Sequence, residues 1–90
     1  MIFKIVYNSD EHDSFYKELC KLLDSNNIKY ESYDSKFLKE RKKGYKIKGS
    51  FSARLNPFIG VYDNDKPVKG FYSEANECTI DNITKYLKWI

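Results

Sequence analysis

Ninety residues suffice for one domain with one core, here residues 1–90, and are too few for two. Eight Tyr, six Phe and one Trp place the chain with folded rather than disordered sequences. The net charge of +3 is unevenly spread: residues 1–35 carry four Lys and seven acids, residues 36–56 carry eight Lys/Arg and only Glu40, and residues 57–90 carry four Lys and five acids. The positive excess therefore belongs to the middle segment and raises the question of a partner local to it.

Taken in chain order, Ile2 to Tyr7 is an apolar run broken only by Lys4. It predicts a central strand with a parallel neighbour, and it lacks the basic start and length of a secretory signal. Asp10 to Asp13 supply polar caps, after which Phe15, Tyr16, Leu19, Cys20, Leu22 and Leu23 form one broad helical face that Ser25-Asn26-Asn27 ends. Ile28 to Tyr33 alternates as a strand, completing a βαβ unit. Lys36 to Lys43 reads as a short basic helix stopped by Gly44. Tyr45-Lys46-Ile47-Lys48 then alternates like a strand, and Gly49-Ser50 turns. Pro57 to Tyr62 predicts a strand with Pro at its first position, where no ladder donor is required. Asp63 to Lys66 is turn chemistry, and Val68 to Tyr72 returns as the second arm of a hairpin. Thr79 caps a last helix whose core face is Ile80, Ile83, Leu87 and Ile90, with Tyr86 and Trp89 at its margin. No segment is long and apolar enough to span a bilayer, so no membrane association is expected.

This β-α-β…β-β-α order, an α/β fold with a four-stranded mixed sheet flanked by helices, resembles the thioredoxin-like superfamily. Its small size most resembles a glutaredoxin. The residue that carries the likeness best is Pro57, within Arg54-Leu55-Asn56-Pro57-Phe58. The resemblance implies a cis Asn56–Pro57 bond beside the site. The stretch Phe71 to Thr79 resembles the turn into the last helix in small phage-encoded members. The family's CxxC, at the start of the first helix, should fall within His12-Asp13-Ser14-Phe15-Tyr16, and no cysteine stands there. Asp10, Glu11 and Asp13 crowd that place and would repel a thiolate. The oxidoreductase activity that the family implies is therefore not expected.

Cys20 and Cys78 are too far apart in sequence for a CxxC or a zinc site and suggest a reducing compartment. Cys20 lies on the apolar helix face. Cys78, near the start of the last helix, is placed where a thiol pKa can fall. His12, the only histidine, has no second His to join it and reads as part of a solvated cap, so no metal or cofactor is expected.

The expectation is a non-catalytic thioredoxin-fold protein acting through contact with another protein or with itself. It would serve in the cytoplasm, or as an accessory or virion component if phage-encoded. The binding surface is expected at His12, Asp13, Phe15, Asn56, Pro57, Ser73, Glu74 and Cys78. Two alternatives stand beside it. One is a single-thiol redox protein using Cys78. The other is a nucleic-acid-binding module using a basic surface of Lys39, Arg41, Lys42, Lys43, Lys46, Lys48 and Arg54, interleaved with Phe37, Tyr45 and Phe51.

Overall fold

The structure, a computed structural model, describes all residues from Met1 to Ile90. Its elements are β1 (Ile2–Tyr7), α1 (Ser9–Ser25), β2 (Lys29–Asp34), α2 (Leu38–Ser50), β3 (Phe58–Asp63), β4 (Lys66–Phe71), a single 3-10 turn (Ser73–Ala75) and α3 (Ile80–Trp89). The sheet order is β2-β1-β3-β4. β1 runs parallel to β2 and antiparallel to β3, and β3 and β4 form an antiparallel hairpin. Asn64 and Asp65 both adopt positive φ at the hairpin tip, the backbone that a tight two-residue turn demands.

Strand alternation sorts side chains to the two faces. Phe3 and Ile5 point to one side, where they join Leu19 and Leu23 of α1, Ile59, Val61, Phe71, Cys78 and Ile83 of α3 in a nine-residue cluster. Val6 and Phe58 point to the other, where Ile47 of α2 completes a cluster of only three. Apolar burial therefore holds α2 less firmly than it holds α1 and α3, and polar contacts at the end of α2 matter more.

Two expectations are corrected. Residues 45–48 are not a strand, and Gly44 stops nothing, because α2 runs unbroken from Leu38 to Ser50. Gly44 faces β1 so closely that a Cβ there would meet Val6 Cγ1 at 2.8 Å. Gly44, Ile47 and Lys48 share the buried face of α2 at helical spacing. Trp89 is not at the margin of the core but 88% exposed, and Ile90 is exposed as well, because the packed face of α3 ends at Leu87.

Candidate functional site

The chain ends of β1 and β2, the start of β3 and the turn after β4 meet at one end of the sheet. The first donors there belong to α1. A helix leaves the N–H groups of its first four positions without helical partners. Here the chain itself satisfies all four. Asn8, the N-cap, donates its N–H to His12 Nδ1 at 3.2 Å. Ser9 N–H donates to Asp34 Oδ1 at 3.1 Å. Asp10 N–H donates to Asn8 Oδ1 at 2.9 Å, and Glu11 N–H donates to the Asn8 carbonyl at 3.0 Å. His12 reaches back only because its own backbone leaves the helical region, at φ −122° and ψ 21°. One turn further on, Tyr16 stacks on Tyr7 with ring centroids 3.9 Å apart and donates its hydroxyl to Ser32 Oγ.

Asp34 is the anion at this helix start. It is 6% exposed and also accepts the Lys36 N–H at 3.1 Å. Burial alone would raise its pKa. The Ser9 hydroxyl and N–H, the Lys36 N–H and the Lys36 charge outweigh burial and hold the carboxyl below its ordinary value.

A second set of polar contacts begins at Ser35, the residue after Asp34, and crosses the end of the sheet. Asn56 donates to Ser35 Oγ at 2.9 Å, and its Oδ1 accepts from Lys48 Nζ at 3.0 Å. Lys48 also donates to the Arg54 carbonyl, and Arg54 N–H donates to Glu74 Oε2. Ser73 Oγ donates to the carbonyl of Pro57, and the Asn56–Pro57 peptide is cis. Glu74 is exposed. Its own backbone N–H lowers its carboxyl pKa most; the Arg54 and Leu55 N–H groups and the Lys48 charge act in the same direction against desolvation.

Asn56, Pro57, Ser73 and Glu74 are thus brought together. His12 and Phe15 are turned inward, one as a cap and the other against the main core, while Asp13 is exposed and pairs with Lys17 at 3.0 Å. The helix start is Asn8–Glu11, four residues before the stretch His12–Tyr16. The first clear apolar position of the stripe, Phe15, lies past the kink at His12 and misplaces the boundary. Cys78 is not at the surface. It belongs to the main core, and burial pushes its thiol up to about 12, with the Ser73 hydroxyl acting against that.

The basic set also divides. Lys48 is not a surface residue: it is 7% exposed because its ammonium tethers the loop 54–56 beneath α2. Burial lowers its pKa, and the Glu74 charge opposes this. Arg41 is half-buried, with a buried Nε that has no partner. Arg54 is exposed. Lys39, Lys42, Lys43 and Lys46 all stand on the outer side of α2, and none has a carboxylate within 4.0 Å. Their i,i+3 and i,i+4 spacing sets like charges beside one another, at a cost of roughly 0.2–0.5 kcal/mol per i,i+4 pair. The acid within this stretch, Glu40, turns inward and accepts the Asp34 N–H.

Asn8, Asp34 and Ser35 were not among the residues singled out from sequence. Asn8 had a signal, since an Asn immediately after a strand and before an acidic pair reads as an N-cap. Asp34 and Ser35 had none, because their partners lie 25 and 21 residues away. No cleft opens at this end. The three surface depressions, of about 280, 340 and 480 Å³, are lined by other residues. No three His, Cys, Asp or Glu side chains gather to hold a metal ion, and no helix is long and apolar enough to cross a membrane.

The whole chain superposes on thioredoxin 1 from the thermophilic eubacterium Thermosipho africanus TCF52B. The TM-score is 0.62, and the match covers 98% of this chain and 96% of that chain at 14% sequence identity. The fold is thioredoxin-like. No family model and no curated protein matches the sequence. On this thioredoxin-like scaffold the start of α1 carries Asn8-Ser9-Asp10-Glu11 beside Asp34, and Ser35, the next residue, accepts from Asn56, which precedes Pro57. A helix start attracts anions through free N–H groups and its dipole. Here the N–H groups are occupied, and Asp34, Asp10 and Glu11 already answer the dipole.

Proposed function

We propose that this chain is a non-catalytic thioredoxin-fold module that works by contact with another protein. The observation that carries this reading is the closed start of α1. All four of its leading N–H groups are satisfied internally, three of them by the side chains of His12, Asp34 and Asn8. A thiolate or a small anionic ligand would have to displace one of these partners. The flat relief at this end favours a broad partner over a small molecule, since small-molecule sites are concave. The exposed members of the surface are Asp10, Glu11, Asp13 and Glu74, around the half-buried Asn56, Pro57 and Ser73. Burial of Cys78 and its raised thiol pKa weigh against a single-thiol enzyme, because the nucleophile is the thiolate.

The test compares the wild type with Cys20→Ser/Cys78→Ser. Both should reduce insulin disulfides in dithiothreitol no faster than buffer, and both should capture the same proteins from an extract. Glu74→Lys should lose part of that set. Turnover above buffer that disappears in the double variant overturns the proposal, and so does a captured set that depends on the cysteines.

A further inference from the structure

We infer that the outer face of α2 is a second docking surface, built for an acidic protein segment that carries apolar side chains. The inference rests on the reading that this chain works through protein contact, but it concerns the opposite face of the sheet from α1 and α3.

At 3.6 residues per turn, Tyr45, Leu38, Lys42, Lys46, Lys39 and Lys43 follow one another around less than half of the helix circumference. All six are exposed, Leu38 by 59% and Tyr45 by 58%. The apolar pair forms one edge of the face and the lysines the other. Phe37, 55% exposed, extends the apolar edge at the helix start. The Tyr45 ring is not loose, since Lys48 Nζ sits 5.3 Å from its centroid. Four uncompensated like charges on one helix face lower its stability. A partner that neutralises them removes that repulsion as it binds.

Chemistry selects the occupant. A nucleic-acid strand would satisfy the lysines but leave Leu38 and Phe37 against phosphates. The two exposed aromatics, Phe37 and Tyr45, stand eight residues apart, about 12 Å along the helix, so they do not form the run of successive aromatics on which neighbouring bases stack. A second copy of this chain offers the acidic outer side of α1. That side, however, exposes no apolar residue, and Asp10 and Asp13 are already paired with Lys36 and Lys17. An acidic segment with leucine or phenylalanine among its carboxylates matches both edges.

The probe is a fluorescein-labelled synthetic peptide alternating glutamate with leucine and phenylalanine. Polyglutamate of equal charge and a single-stranded oligothymidylate serve as competitors. The peptide should bind with amide shifts confined to α2, more weakly as salt rises, and more tightly than either competitor. Lys42→Glu/Lys46→Glu should cost about tenfold or more in affinity. That variant relieves repulsion within α2 and so stays folded. Leu38→Ser/Tyr45→Ser should weaken the peptide but leave polyglutamate unchanged. Absence of peptide binding at α2, equal binding of polyglutamate, or tighter binding of oligothymidylate overturns the inference. Thiol turnover, read separately, is what would overturn the broader reading.

Discussion

Removing the Asp34 carboxylate tests whether the start of α1 is held closed from within. In Asp34→Ala the N–H groups of Ser9 and Lys36 each lose a charged acceptor at 3.1 Å. Bonds to a charged group contribute about 1.5–3 kcal/mol each, and the burial cost of the carboxylate disappears with it, so the net loss should be about 2–4 kcal/mol. For a domain of this size that lowers Tm by about 10–30 °C. Asp34→Asn keeps an acceptor oxygen without the charge and should lose about 1–2 kcal/mol. Because the folded pKa of Asp34 lies below its unfolded value, its stabilisation is complete above about 3.9 and is lost as pH falls through the folded value. The Tm gap between wild type and Asp34→Asn should therefore close as the pH falls below about 4. Hydrogen exchange at Ser9 supplies the local readout and should accelerate in Asp34→Ala more than exchange in β1. A loss below about 0.5 kcal/mol in Asp34→Ala, or a gap that does not change with pH, would refute the closure.

Two further perturbations probe how α2 is seated. Gly44→Ala sets a helix-propensity gain of about 1 kcal/mol against an overpacking cost of about 1–3 kcal/mol where its Cβ meets Val6, so it should be neutral to destabilising by chemical denaturation. Gly49→Ala meets nothing within 4 Å and should stabilise by about 0.5–1 kcal/mol; equal gains in the two variants would contradict the close approach at Gly44. Lys48→Met isolates the buried ammonium. The unfolded chain holds this proton to higher pH than the folded one, so wild-type stability should rise between the folded value and about 10.4 by an increment that the Met variant lacks. The difference between the two proteins is what counts, because the raised pKa values of Tyr7 and Tyr33 lower stability over the same alkaline range in both.

Most of the architecture was legible from the sequence because it rests on short-range periodicity. The apolar run Ile2–Tyr7, the stripe from Phe15 to Leu23, the hairpin about Asn64-Asp65 and the cap at Thr79 each reveal their element within a window of a few residues. Period alone failed between Lys36 and Ser50, where the alternation Tyr45-Lys46-Ile47-Lys48 mimics a strand. The face of α2 that meets the sheet is made of Gly44, Ile47 and a buried lysine rather than an apolar stripe. Only packing against Val6 explains the glycine, and only the loop at Arg54 and Asn56 explains the lysine.

The site divides in the same way. Pro57, Ser73 and Glu74 were placed by their likeness to a known scaffold, and Asn8 was within reach of capping rules. The sorting of lysines into tethered Lys48 and exposed Lys39, Lys42, Lys43 and Lys46 needed the helix to be seen whole. The closure of α1 by Asp34, and the bridges from Ser35 to Asn56 and from Arg54 to Glu74, join residues 20 to 25 positions apart. Local patterning determines which segments become strands and helices, because those hydrogen bonds and apolar contacts repeat along the chain. Which polar groups satisfy one another at the end of the sheet is decided only when distant loops are brought together, because nothing in either partner's own neighbourhood specifies the other.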